Sequence, residues 1–382
     1  MNEIVCPYCF ERIHPKKVQF RCINQNCRKV EDKKLQRFRG FSTPPLEGKV
    51  IDSHSSFSIP TKAVCDCGVV THKRLCHECH NVLPHQYLEM KNMVIALIGA
   101  KNVGKSHYIA VLIHELKNRL GRKLGASLSA MDEQTIMRYK NDFERYIYVD
   151  KVTIPITASA HTRIEGKYPL VYKLMLPKSG FFGGKSDIAV NLVFFDTAGE
   201  DLTNIDTIST EAKYIANADG LIFLLDPIQL PDVQNQINMD VDNVSMDDQQ
   251  EVLNRATQII QLNNNSLNSK IKIPVALSFT KIDLLEGVID PLLLKASNHD
   301  GYFDKGDNDL VHTLFSSYVD KWAGPNLINF LDMHYTDYSF LGLSAIGSNP
   351  DNTGRIKKGI NPFRVEDPLL WILHKKGILK AK

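Results

Sequence analysis

Residues 99–106 read Gly99-Ala100-Lys101-Asn102-Val103-Gly104-Lys105-Ser106, and their reading decides the fold. The spacing G-x-x-x-x-G-K-S belongs to a loop whose backbone N–H groups cradle phosphate oxygens. Its lysine reaches the β- and γ-phosphates and its serine hydroxyl is set for Mg2+. Context agrees on both sides. Residues 93–98 (Met-Val-Ile-Ala-Leu-Ile) are a continuous apolar run, as in a strand buried on both faces. Across residues 107–120, Ile109, Leu112, Ile113, Leu116 and Leu120 recur at helical spacing. Strand, glycine loop and helix start together aim N–H groups and a helix N-terminus at one anion.

Downstream, residues 131–148 carry weak helical periodicity, and 169–176 and 188–195 read as strands. Between those strands, Gly180, Gly183, Gly184, Lys185 and Ser186 imitate a second phosphate loop. Ser179 stands where the first glycine is needed, however, and the segment joins two strands, so a hairpin turn is expected. The second strand delivers Asp196-Thr-Ala-Gly199-Glu200. A carboxylate at the end of a buried strand suits Mg2+, and a glycine three residues later can bring its N–H to a γ-phosphate.

Residues 220–225 form another apolar strand ending at Asp226-Pro227. Residues 228–250 are polar and acidic with no clear element, a helix is expected from about 247 to 262, and 263–270 read as a polar turn. A strand at 274–279 then delivers Thr280-Lys281-Ile282-Asp283. A carboxylate at the last position can accept both N1–H and N2–H2 of guanine, donors that adenine lacks, while the Lys281 stem lies along the purine face. Residues 339–343 lead to Ser344-Ala345, where a backbone N–H could meet guanine O6. Ligands of open α/β sheets bind at the carboxyl ends of strands, where all four motifs fall. Residues 368–376 read as a last helix, with Leu369, Leu370, Ile372 and Leu373 on the sheet and Trp371 half-buried. Lys375, Lys376, Lys380 and Lys382 suit its C-terminus, with a membrane-surface role as the second reading.

The chain has 382 residues, 43% hydrophobic and 23% charged, which fits one large and one small domain with a real core. We expect a small module at residues 1–90 and a larger domain at 91–382. No apolar run approaches the ~20 residues needed to cross a bilayer, and the polar start is no signal peptide, so a cytoplasmic location is the expectation.

All eight cysteines fall between Cys6 and Cys79, which argues for metal over disulfides. Taken in order, Cys6, Cys9, Cys22 and Cys27 make one Zn2+ site and Cys65, Cys67, Cys76 and Cys79 a second. Ligand exchange between the two sets is left open by sequence. His14, His72, His77, His80 and His85 are alternative donors, but the cysteines already fill both sites. Zinc would substitute for a core too small to fold alone, and a recognition role comes on top of that. Residues 38–60 read as a linker with one strand at 49–51. Residues 1–90 hold 14 Lys/Arg against 9 Asp/Glu. Two tetrathiolate zinc sites cancel most of that surplus, so protein is favoured over nucleic acid as the partner.

The set 99–106, 196–199, 280–283 and 344–345 resembles the G1, G3, G4 and G5 boxes of translation-factor/Ras-class (TRAFAC) GTPases, over roughly residues 93–382. Residues 169–174, 218–227 and 367–371 further resemble the bacterial double-GTPase group. The resemblance implies an α/β P-loop fold, a mostly parallel sheet with helices on both faces, and a GTP-binding switch. It further implies Lys105 as the charge-stabilising residue, Ser106 and Asp196 on Mg2+, and a switch threonine, for which Thr157 is preferred to Thr162. Asn102 matches potassium-activated loops and implies a K+ ligand, although Lys101 stands where those loops often have proline. Glu200 replaces the water-orienting glutamine of Ras-like enzymes, so slow intrinsic hydrolysis is expected, with an activating protein or a second GTPase as partner. Arg163 is the one candidate finger. The rival readings are a nucleotide-stabilised scaffold that works through its zinc module, and an ATPase.

Overall fold

The computed structural model describes residues 3–53, 58–155, 168–179, 185–195, 210–237, 246–264 and 269–382. A seven-stranded sheet organises the larger part. Its strands are β1 (Lys91–Ile98), β2 (Ser127–Ala130), β3 (Leu170–Ser179), β4 (Lys185–Phe195), β5 (Gly220–Leu225), β6 (Val275–Phe279) and β7 (Tyr338–Gly342). Their spatial order is β2-β3-β4-β1-β5-β6-β7. From β4 to β7 every neighbouring pair is parallel, and β3 is antiparallel to both β2 and β4. The apolar runs explain the centre: all six residues of β5 and all five of β6 are buried, as strands covered on both faces must be.

The expected hairpin is present. β3 and β4 pair antiparallel from Leu170↔Phe194 to Ser179↔Lys185, and the turn itself lies outside the described residues. Helix α1 (Lys105–Lys117) buries Ile109, Leu112, Ile113 and Leu116 as its periodicity predicts. It stops earlier than expected, because Asn118 leaves helical geometry at φ −114°, ψ −95°; Leu120 is buried from a separate short helix, Arg119–Leu124. The weakly periodic stretch becomes α2 (Glu133–Arg138), capped by the Asp132 carboxylate, followed by a π-helix over Tyr139–Asp150.

Other expectations are corrected. Residues 228–250 do hold a further element, a helix at Pro231–Ile237, which buries Val233 and Gln234 and leaves Asp232, Asn235 and Gln236 exposed. Helices α3 (Thr210–Ala216), α4 (Met246–Asn263), α5 (Lys305–Ala323) and α6 (Asp367–Lys375) complete the larger part, with Asn326–His334 between α5 and β7. Trp371 in α6 is buried at 3% exposure instead of half-buried, since α6 packs against β5 and β6. Among the described residues, no helix is long and apolar enough to cross a membrane.

The cysteine-rich segment is more structured than a pair of ribbons joined by a linker. The strand expected at 49–51 is present at Val50–Asp52 and pairs with Gln19–Arg21, but the linker around it also holds a second strand at Leu46–Glu47. A helix at Lys33–Arg39 precedes them, N-capped by Asp32. The Asp32 carboxylate accepts from Leu35 N at 2.9 Å, lies 2.7 Å from the Arg21 guanidinium and 2.8 Å from His80 Nδ1. His80 therefore serves a buried ion pair, not a metal.

Candidate functional site

The phosphate loop connects β1 to α1 as its spacing requires. A Cβ on Gly99 would sit 2.6 Å from Leu224 O and 2.8 Å from a Val103 methyl, so only glycine admits the turn against β5. Gly104 caps α1 at φ 93°, a left-handed conformation that glycine adopts freely. Lys105, buried at 8% exposure, donates from Nζ to Gly99 O at 2.8 Å and Ala100 O at 2.9 Å. Its ammonium is thus held over the loop whose N–H groups and helix start would receive an anion. Donor set and cradle fit a di- or triphosphate.

A cavity of about 320 Å3 opens beside this loop. Asn102, Gly104, Thr280, Lys281, Asp283 and Ser344 line it, so three of the four sequence motifs converge there. Thr280 donates from its backbone N to Leu225 O at 2.8 Å, which ties the motif to β5. Lys281 adopts φ 56° and reaches across to Asn102 O at 3.3 Å. Ser344 Oγ donates to Asp283 Oδ1 at 2.6 Å and accepts from Gly347 N at 2.9 Å, which aims the carboxylate. Burial pushes the Asp283 carboxyl above the usual carboxylate range, opposed by the Ser344 hydrogen bond. Ser344 N–H is engaged by Phe363 O at 3.1 Å, so of the two residues only Ala345 remains for a backbone contact to a base. Asp196, Gly199, Glu200, Thr157, Thr162 and Arg163 lie outside the described residues.

Three contributors escaped sequence reading. Asp226, fully buried at the end of β5, lies 2.5 Å from Lys281 Nζ, while its backbone N–H donates to Gln249 Oε1 of α4 at 2.9 Å. Burial raises its carboxyl pKa, and the Lys281 ammonium opposes that. His107, next to Ser106, accepts from Ile154 N at 3.0 Å and lines the cavity; burial, then the nearby Lys281 charge, lower its pKa to about 4. Thr153 N donates to Gly354 O at 2.8 Å, closing the same wall. Asp226 had one signal, a charged residue ending an otherwise apolar strand. His107 and Thr153 had none.

The cysteines form two clusters, and the sequential grouping is corrected. Cys6, Cys9, Cys76 and Cys79 make an inner cluster, and Cys22, Cys27, Cys65 and Cys67 an outer one; in each, the four sulfurs lie within 4.8 Å of one another. The exchange left open by sequence is thus realised as a nested pairing, because Gln19–Arg21 pairs with Arg74–Leu75 and draws the two ends of the segment together. Sulfur–sulfur separations of 3.9 Å (Cys6–Cys79 and Cys9–Cys76) and 3.7 Å (Cys22–Cys67) far exceed a disulfide's. They match the edge of about 3.8 Å expected for four sulfurs each about 2.3 Å from zinc. The Val69 backbone N–H and the Asn24 amide pull the Cys67 thiol down to about 6, while burial pushes the Cys27 thiol of the same cluster up to about 12. No histidine joins either cluster among the described residues.

Sheet, glycine loop and base-sized cavity define a P-loop nucleotide-binding protein of the GTPase-like class. The chain belongs to the Double-GTPase 2 family, whose model matches residues 93–322. It is 26% identical over 326 residues to a Mycolicibacterium smegmatis protein named "Putative ESX-1 scaffolding and assembly protein SaeC", covering 80% of each chain. Among solved structures it is similar to the GTPase-like domain of S. cerevisiae Ski7 bound to GTP, at 14% identity and a TM-score of 0.30. That match covers 78% of this chain and 53% of the other, so the chain spans about half the length of that structure.

Proposed function

We propose that the protein is a GTP-binding switch with slow or partner-activated GTP hydrolysis. A GTPase domain at residues 91–382 would carry the nucleotide, and a zinc-holding module at 1–90 would address a protein partner. One observation carries the reading: Asp283, aimed by Ser344, faces the same cavity as the phosphate loop, so one ligand can satisfy both. A guanine would donate N1–H and N2–H2 to Asp283 and accept from Ala345 N at O6. Its face would lie along the Lys281 stem, and Thr280 would fix the motif against β5. The phosphates would occupy the N–H groups of residues 99–106, with the Lys105 ammonium against the β- and γ-oxygens.

Mg2+, held by Ser106 and, in this reading, by Asp196 and Thr157, would supply charge neutralisation between the phosphates. Gly199 would meet the γ-phosphate. Glu200 would accept a proton-side contact from the attacking water while repelling phosphate charge, which keeps turnover low until a partner, an activating protein or a second GTPase, assists. Release of γ-labelled phosphate from GTP by the purified chain, with and without K+, tests hydrolysis against a Lys105→Ala control. The relative's name as a scaffolding and assembly protein favours the second reading, a nucleotide-stabilised adaptor. Tight GTP binding with no release above the Lys105→Ala control would select it.

A further inference from the structure

We propose that Arg364 is a positioning residue for the base-reading side of the nucleotide cavity. It holds the backbone that pairs with Ser344, and through Ser344 it fixes the aim of Asp283. The inference rests on the GTP reading above and deepens it, because it assigns discrimination of the guanine 2-amino group to a residue outside the cavity lining.

The segment after β7 is set against a second one. Ser344 N donates to Phe363 O and Phe363 N donates to Ser344 O, both at 3.1 Å. Asn361 N donates to Ile346 O at 2.9 Å, and a Cβ on Gly347 would collide with Asn361 O, so the two backbones lie in close contact. Residues 361–363 are thus the template that fixes Ser344. Its Oγ in turn donates to Asp283 Oδ1 at 2.6 Å.

Arg364 holds that template. At φ 54° it turns the chain out of the Ser344 pairing toward α6, which begins at Asp367. Glycine makes such a turn at lower cost, so what arginine adds is its guanidinium. The side chain is 1% exposed and forks onto Asp307, Nη1 to Oδ2 at 2.7 Å and Nη2 to Oδ1 at 2.9 Å. Nη1 also donates to Asp367 Oδ2 at 3.0 Å. Two parallel bonds between planar groups fix orientation as well as distance. His299 completes the set. Its Nδ1 accepts from Asp304 N at 3.1 Å, so Nε2 carries the proton and donates to Asp367 Oδ1 at 3.1 Å.

The two carboxylates stand on different supports. Asp307 is in the first turn of α5, which packs on β7, the strand that leads to Ser344. Asp367 is in the first turn of α6, which packs on β6, the strand that leads to Asp283. Arg364 therefore ties the supports of both base-reading strands to the backbone that pairs with Ser344. A buried ion pair adds little net stability over an apolar replacement, and its better-attested use is to specify one arrangement. Here the arrangement specified is the line from Phe363 through Ser344 to Asp283.

Hypoxanthine keeps the N1–H and O6 of guanine and lacks only the 2-amino group, so the ratio of GDP to IDP affinity reports the second bond to Asp283. The test displaces N-methylanthraniloyl-GDP from the full chain with GDP, IDP and ADP in Mg2+. Wild type should prefer GDP to IDP at least about tenfold. Arg364→Lys keeps the charge and loses the fork. It should weaken GDP about tenfold and IDP less than about threefold, the loss of one well-aimed bond to a charged acceptor. In a Ser344→Ala background the same substitution should leave the ratio unchanged, because the path to Asp283 is already cut. Should Arg364→Lys fold poorly, Asp307→Asn, which breaks the fork from its more exposed side, should move the ratio in the same direction. Equal losses for GDP, IDP and ADP, or an unchanged ratio, would overturn the positioning role and leave the GTP reading in place. A wild-type chain that binds no GDP, or binds GDP and IDP alike, would overturn that reading and this inference with it.

Discussion

Lys281 Nζ lies 2.5 Å from Asp226 Oδ2, a carboxylate with no solvent exposure at the end of the fully buried strand β5. The same ammonium reaches Asn102 O at 3.3 Å. The lysine that would lie along a purine is thus fixed from below by β5 and from the side by the phosphate loop. Gln249 receives the Asp226 N–H and, through Nε2, donates to Asp226 O at 3.2 Å, which brings α4 into the same network.

Asp226→Asn should weaken guanine-nucleotide binding about tenfold, which corresponds to about 1.4 kcal/mol. The chain should also lose some stability, because the part-exposed Lys281 ammonium loses its carboxylate partner. Fluorescent-nucleotide titration and denaturant melts read the two effects. Unchanged affinity would detach Lys281 from the base.

Asp283→Asn should lower guanine affinity about a hundredfold, since one of two hydrogen bonds to a charged acceptor, worth about 1.5–3 kcal/mol, becomes a donor facing a donor and the other loses its charge. Adenine nucleotides should change little. The carboxyl pKa is raised by burial, and only the ionised form accepts both guanine donors. Binding should therefore strengthen as pH rises through that pKa and weaken as pH falls below it, from a higher pH than an ordinary aspartate would give. Titrations between about pH 4 and 8 check the direction.

The nested cysteine pairing makes a count. Cys6 and Cys79 share the inner cluster, so the double variant Cys6→Ser/Cys79→Ser should lose one zinc per chain by elemental analysis. Sequential pairing would place them in different sites and cost both zincs.

Asp32→Ala should destabilise the cysteine-rich segment by about 3 kcal/mol or more, because Arg21 is left as an unpaired buried charge and the Lys33–Arg39 helix loses its cap. Faster zinc release with nucleotide affinity within twofold of wild type is the expected signature.

The sequence disclosed those features whose signal is local. Continuous apolar runs betrayed β1 and β5, the glycine spacing marked the loop, and Thr280–Asp283 marked a segment that lines the cavity beside it. What stayed hidden depends on partners far along the chain. Cys9 meets Cys76 because an antiparallel strand pairing folds the segment back, and Cys22 offers no local hint that it joins Cys65 and Cys67. The helix Pro231–Ile237 buries too few side chains to show an amphipathic stripe, and residues 284–338, with α5 and Asn326–His334, gave no assigned element at all. His107 looked like one more helical residue. Only the approach of Ile154 N to its ring makes it a wall of the pocket.

The central claim is that one ligand spans the phosphate loop and Asp283. Isothermal titration calorimetry of the full chain with Mg2+–GTPγS and Mg2+–ATPγS tests it most directly, alongside the Lys105→Ala and Asp283→Asn variants. The account predicts GTPγS binding at about micromolar Kd or tighter, ATPγS at least about a hundredfold weaker, and loss of GTPγS binding in both variants. Equal affinity for the two nucleotides, or no heat from either at millimolar concentration, would contradict it.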